Sequence, residues 1–274
     1  MSSALRRIAQ TVRHCPGLNR LDRVWSILRQ PYRRLLDWTG KAAGIEVTIA
    51  GHRVRLDPTF AHVGWESVEP EAYRAFSQAV RPGCVVFDIG AHIGTYTILA
   101  LQRSTPDGLV VAYEPHFATN VYLRRHLQWN GAAERVVLRS CCCGAKSETG
   151  EFYCVPDQPE GRNSLLWTEG FAKSRVEVAT IDNEVAQLGL VPSVIKIDVE
   201  GAEWDVLRGA ERTLTSCRPI LFVSLHPPQL LLRRERPSEV LDWLRARGYC
   251  HELLGEDHEV HVRAVPIRKV PDIA

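Results

Sequence analysis

A glycine-rich loop after an apolar stretch is the first place where residue type and spacing suggest chemistry. It reads Asp88-Ile89-Gly90-Ala91-His92-Ile93-Gly94, with a carboxylate two residues before the first glycine. That carboxylate would repel a pyrophosphate and attract an ammonium or sulfonium group, directly or through water. Gly90 and Gly94 allow close backbone approach to a ligand and close packing of a helix on a strand. The loop therefore differs from the G-x-G-x-x-G of dinucleotide-binding proteins and favours a cationic ligand.

A second carboxylate extends this pattern. Glu114 ends the next apolar run, twenty residues after Gly94. A carboxylate at the end of a strand offers an acceptor pair to a ribose diol. Together, the glycine loop and Glu114 favour S-adenosylmethionine over NAD as the ligand. A tight turn with a capping Asp88 and a surface Glu114 is the structural alternative.

Three ionisable side chains interrupt a third apolar run. Lys196, Asp198 and Glu200 alternate with Ile195, Ile197 and Val199, so period two puts the charged groups on one side. Such groups are costly to bury unless they are paired or used. The spacing leaves two interpretations open: a reacting centre, or a Lys196–Asp198 salt bridge with Glu200 capping the next helix.

These residues need a scaffold that brings strand ends together. Strand and helix signals alternate from residue 85 onward, which predicts right-handed crossovers and a mostly parallel, doubly wound α/β sheet with a terminal antiparallel strand pair. Ligands bind such sheets beyond the carboxyl ends of the strands. The predicted strands are Val85–Asp88, Leu109–Glu114, Val136–Ser140, Val194–Asp198, Ile220–Leu225, Tyr249–Leu254 and His261–Ile267, and the helices are Thr95–Gln102, Ala118–Asn130, Trp204–Leu214 and Pro237–Arg247.

Two further regions precede this core. A hairpin from Ile45 to Leu56 and a helix from Pro70 to Val80 are predicted for residues 44–80, and the ligand-binding core is assigned to residues 81–274. Residues 1–43 are predicted to form short amphipathic helices. Residues 1–40 hold eight arginines and two acids, a balance of +6, which leaves −4 for the remainder. A flap packed on the body is the simplest role for this basic arm, and contact with a membrane surface or a partner is the alternative.

Composition narrows the cellular setting. The eight cysteines form no C-x-x-C pair and three are consecutive, which predicts mostly reduced, buried thiols. No apolar run reaches the roughly eighteen residues of a membrane span, and no signal-peptide stretch is evident. We therefore expect a cytoplasmic protein.

The motifs resemble those of the FkbM family of S-adenosylmethionine-dependent methyltransferases, class I enzymes that chiefly methylate hydroxyl oxygens on sugars and polyketide-type natural products. The likeness runs from about Arg81 to Pro227. Its strongest segments are Val86–Tyr96, Tyr113–Pro115 and Ile195–Glu203. The resemblance implies a Rossmann-like fold and places Asp88, Gly90 and Gly94 at the methionine end of the cofactor, Glu114 at the ribose, Cys142 or Cys143 at the adenine, and Asp198 at the reacting centre. The full expected cofactor-binding set is Asp88, Gly90, His92, Gly94, Thr95, Glu114, Pro115, Cys142, Cys143 and Asp198.

The sequence departs from the family pattern at two positions. His92 stands where Asn is usual, and Ser224 stands where the fifth strand often carries Glu before the His226-Pro227 pair. Losing that carboxylate weakens a metal site built on it with Asp198 and His226, so no metal is expected.

The expected reaction is O-methylation of a small-molecule or glycan acceptor. Attack by a hydroxyl on a methyl group needs alignment and removal of a proton. Asp198 or His226 is the expected base, with Glu200 and Lys196 positioning the acceptor, although a histidine before two prolines is often structural. The segment Gln158–Phe171 is an expected acceptor-facing loop, in which Asn163, Ser164 and Trp167 offer donors and a stacking surface to a sugar.

Other functions stay open. A nucleic-acid methyltransferase would need a basic, aromatic-lined path near the site, and the dense basic tract lies instead at the N-terminus. A non-catalytic S-adenosylmethionine-binding protein fits if the charged groups of residues 196–200 are purely structural. A nicotinamide-dependent dehydrogenase fits least.

Overall fold

A computed structural model describes residues 44–159 and 161–267 of the 274-residue chain. By internal contacts the chain divides into two compact units, with the boundary between Glu66 and Ser67. The helices predicted for residues 1–43 lie outside the described residues. The three-part division into residues 1–43, 44–80 and 81–274 stays a prediction.

The first unit contains the predicted hairpin. Strands β1 (Ile45–Ile49) and β2 (His52–Leu56) pair antiparallel, with Ile45 opposite Leu56. Ala50 and Gly51 between them both have positive φ, 47° and 81°, as a two-residue type I′ turn requires. A short 3₁₀ turn, Pro58–Phe60, follows and is capped by the Asp57 carboxylate, which accepts from Thr59 N at 3.0 Å.

The second unit is built on a seven-stranded sheet. Its strands are β3 (Val85–Ile89), β4 (Leu109–Tyr113), β5 (Val136–Arg139), β9 (Val194–Ile197), β10 (Ile220–Leu225), β11 (Tyr249–Glu256) and β12 (Val260–Pro266). The spatial order is β11-β12-β10-β9-β3-β4-β5, with β3, β4, β5, β9 and β10 parallel and β12 antiparallel to both of its neighbours. The predicted doubly wound, mostly parallel sheet with a terminal antiparallel pair is confirmed.

Helices cover this sheet. They are α1 (Pro70–Ala79), α2 (Thr95–Arg103), α3 (Phe117–Trp129), α4 (Ile181–Leu188), α5 (Glu203–Arg208), α6 (Glu211–Ser216), α7 (Pro227–Leu232) and α8 (Pro237–Ala246). None of the helices in the described ranges combines the length and the apolar character that a bilayer span needs.

The single helix predicted over Trp204–Leu214 is wrong, because two helices, α5 and α6, meet at Gly209. A Cβ at Gly209 would lie 2.0 Å from the carbonyl oxygen of Gly144, so only glycine permits this approach. The Asp182 carboxylate lies at the start of helix α6 and accepts from Thr213 N at 2.8 Å and from Arg212 N at 3.0 Å. The break therefore reflects a tertiary contact rather than local propensity.

A small second sheet fills the region between β5 and β9, where neither a strand nor a helix is predicted from the sequence. It consists of β6 (Cys142–Cys143), β7 (Glu148–Cys154) and β8 (Ala172–Ala179), in the order β6-β8-β7. Helix α4 follows it and was also missed, although its signals are present: Thr180 accepts from Asn183 N at 3.2 Å, and Gly189 ends the helix at φ 64°.

The core lies between this sheet and its helices. The central strands β3, β4, β9 and β10 are almost wholly buried, and most of their residues are apolar. The buried exceptions are polar groups on these strands, namely Asp88, Lys196 and Ser224. Their contacts belong to the site described next.

Candidate functional site

A cavity opens at the carboxyl ends of β3, β4 and β9. The chain runs from β3 outward to β5 and then returns to β9 on the other side of β3, so this is the switch in strand order where ligands bind in such folds. The space enclosed is about 530 Å³, counting open solvent at the mouth. Its walls include Gly90, His92, Glu114, Pro115, Cys142, Cys143, Phe152, Asn163, Ser164, Leu165, Asp198 and Glu200.

The glycine loop takes its shape from close packing. Gly90 has φ 82°, and a Cβ there would lie 1.8 Å from the carbonyl oxygen of Asp198, so the end of β3 lies directly against the end of β9. Gly94 has φ 90°, and a Cβ there would lie 2.4 Å from Leu123 Cδ1 on α3. His92 also adopts a left-handed φ of 48°, a conformation that Asn and His adopt more readily than most residues. Histidine in place of the usual Asn at position 92 is therefore compatible with this backbone conformation.

Glu114 faces the cavity with both oxygens pre-oriented. Its Oε2 accepts from His92 N at 2.9 Å and its Oε1 from His116 N at 2.8 Å. Burial raises the pKa of Glu114 to about 7, although these two N–H donors act in the opposite direction. Each carboxylate oxygen keeps a further acceptor position. The group therefore fits a ribose diol.

The wall beside Glu114 is apolar. Cys142, Cys143, Phe152 and Leu165 line it, and both cysteines are free. Burial holds the pKa of each of these thiols well above its usual range, so they act as neutral, polarisable surface. Such a wall fits a flat adenine ring.

Three carboxylates, Glu114, Asp198 and Glu200, line this cavity, and none of its described lining residues is Lys or Arg. These three carboxylates attract a cationic ligand and repel a pyrophosphate. The residues present thus fit the sulfonium, the ammonium group, the ribose and the adenine of S-adenosylmethionine.

Three predicted cofactor-binding residues are not on the cavity wall. Asp88 is 1% exposed and accepts from Thr97 Oγ1 at 2.5 Å, and burial raises the pKa of Asp88 to about 6. Thr95 Oγ1 hydrogen-bonds Tyr73 OH at 2.8 Å, and Gly94 packs against α3. A direct role for these three residues in cofactor binding stays a prediction.

Lys196 on β9 and Asp198, the residue after this strand, form a partly buried ion pair. Lys196 Nζ donates to Asp198 Oδ2 at 3.0 Å and to Ser224 Oγ at 2.7 Å, and it lies 4.9 Å from the centre of the Tyr96 ring. Burial lowers the pKa of Lys196, but the carboxylates of Asp198, Glu69 and Glu259 together outweigh it and the pKa is raised. Burial raises the pKa of Asp198, but Lys196 and His226 outweigh it and the pKa is lowered. The predicted salt bridge is present, and it leaves Asp198 Oδ1 facing the site.

Glu200 does not cap the next helix. Glu203 Oε1 instead accepts from Gly201 N at 2.7 Å, while Glu200 lies on the cavity wall with a left-handed φ of 55°. Non-glycine residues in this region of φ/ψ space are uncommon and often stand at functional sites. The turn directs Glu200 towards His226, with Glu200 Oε2 3.4 Å from His226 Nε2.

His226 sits behind the cavity among carboxylates and is 1% exposed. Its Nδ1 lies 2.9 Å from Glu203 Oε1, and its Nε2 lies 3.8 Å from Asp198 Oδ1 and 3.4 Å from Glu259 Oε1. Burial lowers the pKa of His226, but the carboxylates of Glu200, Glu203 and Glu259 outweigh it and hold that pKa well above its ordinary value. Sequence reasoning missed Glu203 and Glu259. Glu203 stands in the family-like stretch, whereas nothing near Glu259 signals its role.

Only some residues of the expected acceptor loop line the cavity. Asn163 and Ser164 line the cavity, whereas Trp167 is 69% exposed and is not among the lining residues. Asn163 Oδ1 accepts from Val155 N at 3.1 Å, and Ser164 Oγ donates to the Glu200 carbonyl at 2.8 Å. These two side chains therefore hold the loop against the site, and their contact with an acceptor stays a prediction.

Comparison with known proteins supports the same interpretation. Residues 88–250 match the family described as Methyltransferase FkbM domain. A protein named Methyltransferase 1 from Beauveria bassiana (strain ARSEF 2860) is 29% identical over 148 residues, which are 46% of this chain and 58% of that protein. Hexuronic acid methyltransferase AglP from Haloferax volcanii is 26% identical over 207 residues, 70% of this chain and 81% of that protein. The crystal structure of methyltransferase FkbM from Methylobacillus flagellatus KT aligns at 18% identity with a TM-score of 0.47, over 70% of this chain and 50% of that one.

The family match covers more than half of the chain, and the Rossmann-like, class I sheet and the cavity at its switch point agree with it. This chain spans little more than half of the Beauveria relative that it matches. The predicted family and cofactor are confirmed: the chain belongs to the FkbM methyltransferases, and S-adenosylmethionine, the cofactor of this family, fits its cavity.

Proposed function

We propose that the protein methylates a hydroxyl oxygen on a sugar or another small natural-product or glycan acceptor. The observation that carries this proposal is the placement of Asp198 and Glu200 on the cavity wall, with side chains 25% and 16% exposed. A hydroxyl must lose its proton as it attacks, and a carboxylate within hydrogen-bond reach is a suitable acceptor.

Bound S-adenosylmethionine supplies an activated methyl group, and the chain supplies position and proton transfer. Glu114 and the wall of Cys142 and Cys143 would hold the ribose and adenine. Asp198 Oδ1 or Glu200 would accept the hydrogen bond of the acceptor hydroxyl and then its proton. Alignment contributes about 7–11 kcal/mol in well-oriented reactions. Proton acceptance contributes roughly 10²- to 10⁴-fold, so it is the smaller term.

The other two residues of the predicted catalytic set would act through these carboxylates. Lys196 holds Asp198 Oδ2 at 3.0 Å, and His226 faces both carboxylates from the buried side. Neither Lys196 nor His226 is among the cavity-lining residues. They are therefore positioning residues in this proposal, and His226 is a less suitable base than the sequence suggests.

The acceptor class rests on two supports. AglP, a relative over 81% of its own length, is named a hexuronic acid methyltransferase. The exposed Trp167, on the loop whose residues 163 and 164 line the cavity, offers a surface on which a sugar ring can stack. We also propose that the basic residues 1–43 contact an anionic membrane surface. A cytoplasmic location is a further part of this proposal.

Methyl-labelled S-adenosylmethionine and a panel of hydroxyl acceptors that includes uronic acids test the proposal. Mass spectrometry and NMR should find the label as an O-methyl group on a sugar or small-molecule acceptor. Asp198→Asn, assayed at saturating donor, should lower kcat by about 10²- to 10⁴-fold. Asp107→Asn, an exposed carboxylate away from the cavity, is the control.

Two results would contradict the proposal. Label found only on nitrogen or carbon would exclude O-methylation, and label found only on nucleic acid would exclude the proposed acceptor class. Wild-type turnover in an Asp198→Asn, Glu200→Gln double variant that still binds the donor would exclude proton acceptance by these carboxylates.

A further inference from the structure

Four side chains of metal-binding type converge behind the cavity. Asp198 and Glu200 follow β9, His226 follows β10, and Glu259 lies in the turn between β11 and β12. One potential ligand atom from each lies within 4.8 Å of those of the other three. Three separate segments of the chain therefore deliver one imidazole and three carboxylates to a single point.

The distances at this point fit an ion better than hydrogen bonds. His226 Nε2 lies 3.4 Å from Glu200 Oε2, 3.4 Å from Glu259 Oε1 and 3.8 Å from Asp198 Oδ1. Good N–H···O bonds measure about 2.9–3.0 Å. In a tetrahedral site with bonds of about 2.1 Å, neighbouring ligand atoms lie about 3.4 Å apart.

One ring nitrogen of His226, Nε2, is a buried polar atom without a partner among the described residues, and it points into the cluster. The residue is 1% exposed, and its Nε2 has no hydrogen-bond partner within the described structure. Oε2 of the buried Glu259 likewise has none. Buried polar atoms without partners are rare and often mark a missing ion or water.

Outer contacts hold two of the four groups in a ligand-like arrangement. Glu203 is 0% exposed and its Oε1 lies 2.9 Å from His226 Nδ1, so once a cation displaces the proton on Nε2, the lone pair of Nε2 points into the cluster while Nδ1 keeps its proton. Metal-bound histidines almost always donate their other ring N–H to a carboxylate, a backbone carbonyl or a water. Lys196 holds Asp198 Oδ2, which leaves Oδ1 for the cluster.

The charges leave the cluster negative. The exposed His258 ring approaches Glu259 Oε1 at 3.0 Å from the solvent side, and His261 lies 3.9 Å from Oε2. Unbalanced buried charge is costly, and a divalent cation would offset it. Four carboxylates, those of Asp198, Glu200, Glu203 and Glu259, meet here, against one ammonium, that of Lys196, and the ring of His226.

We propose that Asp198, Glu200, His226 and Glu259 bind a divalent transition-metal cation, Mn²⁺ or Zn²⁺. One imidazole with carboxylates favours such ions over Ca²⁺, which takes oxygen ligands. Because position 224 is Ser and not a carboxylate, no metal is predicted from the sequence. Glu259, from a different strand connection, supplies a carboxylate instead.

Asp198 and Glu200 also line the cavity, so the cation would be reachable by a ligand bound there. This step rests on the proposed function: an oxygen of the acceptor would complete the coordination, and the hydroxyl proton would pass to the carboxylate oxygen of Glu200 that does not bind the cation. The cation site itself does not depend on that acceptor.

The test uses the full chain, stripped of metal with a chelator and titrated with Mn²⁺ and, separately, Zn²⁺. Calorimetry should show one Mn²⁺ or Zn²⁺ bound through this cluster. Glu259→Gln and His226→Gln should weaken binding by about tenfold or more. Glu256→Gln, an exposed carboxylate of the same hairpin, and His62→Gln, an exposed histidine, are matched controls that should leave binding unchanged.

A spectroscopic measurement separates this site from surface binding. Electron spin-echo spectra of the Mn²⁺ complex should show coupling to one histidine nitrogen, and His226→Gln should abolish it. Near-UV circular dichroism checks that the variants are folded. No saturable binding of either ion, or equal affinity in wild type and Glu259→Gln, would overturn the proposal. The measurement requires no methyl transfer, so its failure is distinct from failure of the proposed function.

Discussion

Environment gives the acidic residues of this site different proton affinities. Burial raises the pKa of Asp88 to about 6 and that of Glu114 to about 7. Asp198 is also desolvated, yet Lys196 and His226 lower its pKa. Thus Asp198 stays ionised where a charged wall is needed, whereas Glu114 titrates near neutrality.

Donor binding should depend on pH through Glu114. Its folded-state pKa is raised, so it is mostly protonated below pH 7 and loses acceptor capacity as pH falls. We expect S-adenosylmethionine affinity, measured by calorimetry, to rise between pH 6.5 and pH 8.5. Glu114→Gln should weaken binding about tenfold or more and flatten this profile, since hydrogen bonds to charged groups contribute about 1.5–3 kcal/mol. The exposed Glu134→Gln is the control. A rising profile that persists in Glu114→Gln would contradict the assignment.

At the scale of elements, the site depends on how closely the ends of β3 and β9 approach. The Gly90 backbone rests on the carbonyl of Asp198, and Asp198 N donates to Ile89 O at 2.9 Å. These contacts fix the carboxyl ends of two neighbouring strands, and therefore the positions of Asp198 and the glycine loop. The β11–β12 hairpin adds Glu259 from the other side of β10.

Gly90→Ala should disrupt this junction. The new Cβ would lie 1.8 Å from Asp198 O at a left-handed φ of 82°. Left-handed strain of about 1–2 kcal/mol and overpacking of about 1–3 kcal/mol predict a loss of roughly 2–5 kcal/mol in the free energy of unfolding. Urea denaturation measures it. Gly189→Ala has a similar φ of 64° but nothing within 4 Å, so it should lose only the strain term. Equal losses in the two variants would show that the contact with Asp198 is unimportant.

At the scale of the whole molecule, charge is unevenly distributed along the chain. Residues 1–40 carry a balance of +6, and the remaining residues carry −4. The cavity lies in the acidic part and is lined by three carboxylates. We therefore propose that a small cationic donor and an anionic surface would be bound by different parts of the sequence.

The full chain should sediment with vesicles that contain anionic lipid and should remain free in the presence of neutral vesicles. Raising the salt concentration should release it, because exposed charges are screened beyond about 10 Å at 0.1 M ionic strength. Replacing Arg6, Arg7 and Arg13 by Gln should reduce sedimentation without changing donor affinity. Sedimentation that is unaffected by salt and by these substitutions would contradict an electrostatic role for the arm.

The sequence by itself determined the parallel sheet, the glycine loop, Glu114 and the alternation of Lys196 and Asp198, because period, turn residues and strand-end positions are local properties of the chain. Only the tertiary structure decided the break at Gly209, the small sheet of β6, β7 and β8, and the carboxylates around His226. These depend on contacts between distant segments: Gly144 against Gly209, and Glu259 carried to His226 by an antiparallel hairpin. Sequence periodicity carries no information about such distances, so the charged cluster emerges only when the strand order is known.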